Sequence, residues 1–359
     1  MTRLFTLLTI AVAAMVFVAP AKASPAGERH LETTNPTAAL RDAEHRALVR
    51  ITVWYPAAEG VAEQSLDIGA PGHVLFYVGD AALNAPFADD RRHPVILFSH
   101  GYGGSARMMA WFTTVMAQQG YIVIAVDHPG NNSVDKMTVA GATLFWDRPG
   151  DLDAALERVK ADPTLSGHMD LKRLGIVGFA SGGFTALEAS GARTDLNRFH
   201  AFCAQHPDDG VCKPQPELPV TLEQASAALE APELAADAHH AGDDHSIRGV
   251  RATFVMAPAF VQAFDPASFA AISTPVAVIL GEADSVAPAH TNGGLVARSI
   301  PRAQLKGLPG VGHYDFLSIC SDEARATLLV CQNDVPQGQT HHDALEMALI
   351  FFGKAMGPP

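Results

Sequence analysis

Five stretches of the chain are apolar almost without interruption: VILFS (Val95 to Ser99), YIVIAV (Tyr121 to Val126), LGIVG (Leu174 to Gly178), ATFVMA (Ala252 to Ala257) and VAVIL (Val276 to Leu280). Runs of this length and texture are those of strands buried on both faces of a parallel sheet. Between them, Ala106 to Gln119, Asp151 to Lys160 and Phe184 to Ala192 carry apolar residues at helical spacing, and Ala344 to Lys354 closes the chain in the same way. Strand alternating with helix predicts a doubly wound, mostly parallel α/β sheet with right-handed crossovers. Two earlier runs differ in texture: Arg46 to Tyr55, stopped by Pro56, and HVLFYV from His73 are rich in β-branched and aromatic residues. Both read as antiparallel edge strands at the start of the sheet.

The alternation breaks between about residues 193 and 248, a stretch holding several prolines, a cysteine pair and the acidic, His-rich HHAGDDHS. That is too long for an ordinary connection and reads as a lid-like insertion in one domain running from 24 to 359. His239, His240, Asp243, Asp244 and His245 could ligate a metal, but a solvated acidic loop is the preferred reading, because ligands need a supporting shell that nothing here predicts.

Composition sets the surroundings of this domain. The chain is 359 residues long, 48% apolar and 18% charged, enough to bury a large core. Its net charge of -13, with no run of Lys or Arg, argues against nucleic acid or an anionic membrane as partner. A basic n-region at Arg3, an apolar stretch from Leu4 to Ala19 and small Ala21 and Ala23 read as a signal peptide over 1–23, cleaved before Ser24. A secreted or periplasmic, soluble protein is therefore expected, with no membrane span. Four cysteines fall in two local pairs, Cys203 with Cys212 and Cys320 with Cys331, which an oxidising compartment would make into disulfides.

The candidate chemistry lies just after the apolar runs, where loops at the carboxyl ends of parallel strands converge on one crevice. After VILFS, the turn His100-Gly101-Tyr102-Gly103-Gly104 can aim a main-chain N–H, that of Tyr102, at an oxyanion. Following LGIVG, Gly178-Phe179-Ala180-Ser181-Gly182-Gly183 runs into the helical FTALEA, the strand–turn–helix setting of a nucleophile elbow. In the register G-x-S-x-G the central position is Ala180, and Ser181, one step late, supplies a backbone N–H as second oxyanion donor. Asp284, in GEADSVAP after VAVIL, can orient an imidazole, with Glu282 as the competing acid. His313, in GVGHY, stands 29 residues later as general base, one of sixteen histidines but the one in the chain order elbow, acid, histidine. No phosphate loop, dinucleotide fingerprint or metal set is present, so no cofactor is expected.

Together ITVWYP, the HGYGG turn, WDRPGDLDAAL, the glycine-flanked elbow, FCAQHPDDGVC, VMAPAF, GEADSVAP and PGVGHYDFLSIC give a sequence that resembles the platelet-activating-factor acetylhydrolase-like and dienelactone-hydrolase-like branch of the α/β-hydrolases. The resemblance implies an α/β-hydrolase fold, a carboxylic ester or lactone as substrate, and acyl transfer to water. It maps the family nucleophile onto Ala180, the acid onto Asp284 and the base onto His313, because this chain reads GFASGG where the branch reads GFSAGG or GHSFGG. Three readings stay open at this point. In the first, Ser181 is the catalytic nucleophile through a one-residue slip of the elbow; in the second, the protein is an impaired hydrolase acting as a binding protein; in the third, His313 and Asp284 activate water directly.

Overall fold

A computed structural model of the chain describes residues 24–332 and 335–359. The leader read over 1–23 lies outside the described residues. The first six strands are β1 (Ala26–Thr34), β2 (Leu48–Pro56), β3 (Gln64–Ser65), β4 (Ile68–Ala70), β5 (His73–Tyr77) and β6 (Asp80–Leu83). The apolar runs become β7 (His93–Ser99), β8 (Ile122–Asp127), β9 (Met169–Phe179), β10 (Val250–Met256) and β11 (Val276–Gly281). After them come β12 (Gln304–Leu308) and the short β13 (Ile319–Cys320).

Ten strands form one sheet in the order β12-β11-β10-β9-β7-β8-β2-β1-β6-β3, parallel from β12 through β8. The chain places β8 on one side of β7 and then crosses to place β9 on the other, and this reversal of strand order is the switch point at which an open α/β sheet leaves a crevice beyond its carboxyl ends. Side chains alternate through this sheet: Val95 and Leu97 enter one buried cluster, Ile96 and Phe98 the other. Helices Ala110–Gln118 and Gln337–Met356 cover the second face, with Phe112 and Phe352 in its core. Arg148–Lys160 and Ser181–Glu188 cover the first, through Leu152 and Phe184. Burial on both faces is why these strands show no polar alternation.

Two expectations need correction. The Arg46-to-Tyr55 run is not an edge strand: β2 is flanked by β8 and β1, antiparallel to both. The polar-looking AGERHLETT pairs with β2 along all nine residues and forms β1, outside it. Its outward positions face solvent, so too few apolar residues remained to signal a strand. The run from His73 lies outside the main sheet altogether, as β5 of a three-stranded sheet with β4 and β13.

The 193–248 segment is largely helical, with helices Leu196–Gln205, Leu222–Glu230 and Pro232–Ala238. Both expected disulfides are formed: Cys203–Cys212 staples this segment, with Cα atoms 5.4 Å apart, and Cys320–Cys331 has Cα atoms 5.8 Å apart. Exposed His240 and Asp243 bond each other at 2.7 Å, and among the described residues no group of three or more potential ligands is placed to hold a metal ion. No described helix is long and apolar enough to cross a membrane.

Candidate active site

The turn after β9 is built by close approach. A Cβ on Gly178 would stand 1.9 Å from the Gly182 carbonyl oxygen, and one on Gly182 would stand 2.0 Å from that of Ser99, so neither position admits a side chain. Between them Ala180 adopts φ 52° and ψ -118°, sparsely populated for any residue but glycine. The neighbouring backbone grips it there: Ala180 N–H donates to Met256 O, while Ala180 O accepts from Ala259 N at 3.0 Å and Gly183 N at 2.8 Å. The helix Ser181–Glu188 starts directly afterwards, with its first N–H groups free of intrahelical partners.

Asp284 and His313 meet from neighbouring strand ends. Asp284 Oδ1 accepts the N–H groups of Val286 and Ala287 at 2.9 and 2.7 Å, which fixes the carboxylate and leaves Oδ2 for the ring. His313 Nδ1 donates to that Oδ2 at 2.7 Å, so Nε2 carries the lone pair. Both residues are buried, and the ring rests on Phe179 with centroids 5.1 Å apart. Of the competing acids, Glu282 is exposed and Asp315 Oδ2 accepts Gly312 N–H in its own turn at 2.7 Å.

His313, Ala180, Ser181 and Tyr102 line one cavity of about 170 Å³ at the carboxyl edge of the sheet. Gly103, at φ 60°, turns the His100–Gly104 loop, and its N–H donates to Asn131 Oδ1 at 2.8 Å. The Tyr102 hydroxyl donates to Leu218 O at 2.8 Å and ties this turn to the insertion.

The Ser181 side chain goes elsewhere. Its Oγ accepts from Arg148 Nη1 at 2.8 Å, and the residue has no solvent exposure. Arg148 Nη2 donates to His100 O and Ser99 Oγ. Burial pushes this guanidinium down to about 9, still a cation at neutral pH. Behind it, the Ser99 hydroxyl donates to His128 Nε2 and His128 Nδ1 to Asp151 Oδ2, both at 2.9 Å. Arg41 forks onto Asp151 with two bonds of 2.8 Å. Burial opposes the Asp151 charge, yet Arg41 holds its carboxyl well below the usual range, while burial pushes His128 down to about 3.

Sequence reasoning passed over this network, although a signal was present. Helical spacing begun at Arg148 instead of Asp151 puts Arg148, Asp151, Leu152, Ala155 and Val159 on one stripe, all buried. Charged residues on a core stripe require buried partners.

A family model described as platelet-activating factor acetylhydrolase, isoform II, matches residues 42–143. Platelet-activating factor acetylhydrolase of Gallus gallus is 32% identical over 109 residues, 28% of this chain and 24% of that protein. A cutinase of Thermobifida fusca is 26% identical over 190 residues, 52% of this chain and 54% of the cutinase. The chain thus spans between a quarter and about half the length of these curated relatives. A solved ferulic acid esterase from Streptomyces cinnamoneus shares the fold, with TM-score 0.61 and 17% identity over 94% of this chain and 92% of that one. Fold and matched sequence point the same way: the chain has an α/β-hydrolase fold, and its residues 42–143 are similar to the platelet-activating factor acetylhydrolases.

Proposed function

We propose that this protein binds carboxylic esters or lactones in a hydrolase-type cleft from which the serine of the covalent step has been removed. One observation carries the reading: Ala180 holds the strained turn, while the Ser181 hydroxyl, the candidate nucleophile of a slipped elbow, is held by Arg148. The other parts suit an ester. Asp284 fixes the His313 tautomer, and backbone N–H groups of Tyr102 and Ser181 are the donors for a carbonyl oxygen that gains charge. His313 can still take a proton from water, so slow direct hydrolysis accompanies binding. We place the protein outside the cytoplasm, after removal of 1–23, a reading supported by its two disulfides.

A fluorophosphonate serine probe tests this. The wild type should not label, whereas Ala180→Ser should label and hydrolyse a p-nitrophenyl ester on the order of a thousandfold faster or more, since losing a nucleophile removes about a millionfold. Strong wild-type labelling that disappears in Ser181→Ala would overturn the proposal.

A further inference from the structure

A second cavity, of about 90 Å³, lies under the 193–248 segment and shares Tyr102, Val211, Gln215 and Phe260 with the cleft. Its character differs from that of the cleft. Aromatic residues Tyr102, Phe145, Trp146, Phe184, Phe199 and Phe260 form much of its wall. Phe145 stacks on Phe260 at 5.0 Å, and Phe199 meets Phe260 edge-on at 5.8 Å. Most polar groups in the wall are engaged: Thr143 Oγ1 donates to Val139 O, Thr194 Oγ1 to Glu188, Gln215 Nε2 to Gly210 O, Thr221 caps its helix and His200 Nε2 meets Ser226 Oγ, while Lys213 stands exposed at the edge. A polar or charged group placed against the aromatic part of this wall would lose water without replacement.

Phe260 joins the two spaces. Its backbone sits at φ 61° and ψ 12°, an outlier for so bulky a residue, and such strain persists only where the surroundings impose it. Here the constraint comes from the elbow, since the preceding residue, Ala259, donates its N–H to Ala180 O. The ring dividing cleft from chamber is therefore held one residue from the elbow contact. Roof and wall are joined by the Cys203–Cys212 disulfide, whose Cys212 faces the chamber.

We propose that this chamber is the binding site for an uncharged aromatic ring carried by the ligand, with the ring's ester group lying in the cleft. The inference rests on the ester-site reading only for where the carbonyl goes. Size sets an upper limit: at about 90 Å³ the chamber is smaller than the apolar cavity of about 150 Å³ that takes up benzene, so it has room for no more than one ring, whose tether and ester must lie in the adjoining cleft. The stacked phenyl faces supply matching geometry.

The test is direct binding to the full wild-type chain, followed by tryptophan emission, because Trp146 is in the wall. Methyl hydrocinnamate should bind at least tenfold tighter than methyl nonanoate, which has the same number of acyl carbons, and than methyl acetate. Ala225→Trp, filling the chamber from its roof, should abolish that preference, and Leu229→Trp repeats the block from the next helical turn should the first variant fold poorly. Equal affinity for nonanoate and hydrocinnamate, or a ring preference that survives in a folded blocked variant, would overturn the proposal. Whether Ala180→Ser gains activity does not enter this measurement, so the chamber and the covalent-step reading can fail separately.

Discussion

Replacing Ser181 by alanine separates two roles for this residue. A serine poised to attack would, when removed, abolish turnover and leave stability alone. The structure predicts the reverse. Arg148 is fully buried and Ser181 Oγ is the acceptor of its Nη1 at 2.8 Å, so Ser181→Ala leaves a cationic donor without a partner in a site that water does not reach. Hydrogen bonds to charged groups contribute about 1.5–3 kcal/mol, and an orphaned buried donor costs a similar amount, so a loss of about 2 kcal/mol is expected. Against a total of roughly 5–15 kcal/mol this is readily measured by urea unfolding, with a fall in Tm of roughly 4 °C. Arg148→Met removes the donor itself, and in that background Ser181→Ala should cost less than about 0.5 kcal/mol, a coupling that a double-mutant cycle reads directly. A Ser181→Ala protein within about 0.5 kcal/mol of wild type would refute the reasoning.

Other expectations follow from burial and loop length. Burial raises the Asp147 carboxyl to about 7, with Asp237 and Asp151 adding to the rise and Arg41 opposing it. The native state then keeps a proton that the unfolded chain has lost between about pH 4 and 7, so this group's contribution is present below that window and lost as pH rises through it. Asp147→Asn should flatten that decline, seen as a gain in urea midpoint over wild type that grows from acidic to neutral pH. Replacing Cys203 and Cys212 by serine opens a loop with a sequence separation of 9 and should cost about 2–3 kcal/mol, read from the unfolding midpoint. Alkylation of the exported protein without reductant should modify none of its four cysteines, and mass spectrometry should place its first residue near Ser24.

What could be read from sequence was what repeats or punctuates. The central parallel strands were visible because burial on both faces leaves an unbroken apolar run, and their order along the chain located the loops carrying Ala180, Asp284 and His313. Strand β1 was not, because what holds it is backbone pairing to β2, which leaves no mark on side-chain type. The helices of the insertion were missed for a related reason: they pack chiefly through small clusters such as Leu144, Trp146, Leu234 and Ala241, too few apolar positions to show a period. At the site, residue types announced the roles of Asp284 and His313, but not the partner of Ser181. That partner is 33 positions away, and only the folded chain brings it near.

Ser99, His128 and Asp151 form an unbroken hydroxyl–imidazole–carboxylate line, complete in just the member that the cleft lacks. A template search by distances alone would select it as the reactive centre, yet Ser99 and His128 have no exposure and the imidazole is too weak a base to draw off a proton at neutral pH. The protein thus divides reactivity into halves: one constellation has the atoms without access, the other has access without the oxygen. Since Ser99 becomes reachable only when the core opens, covalent modification there by a small hydroxyl-directed reagent would act as a clock for global unfolding, not as a measure of activity.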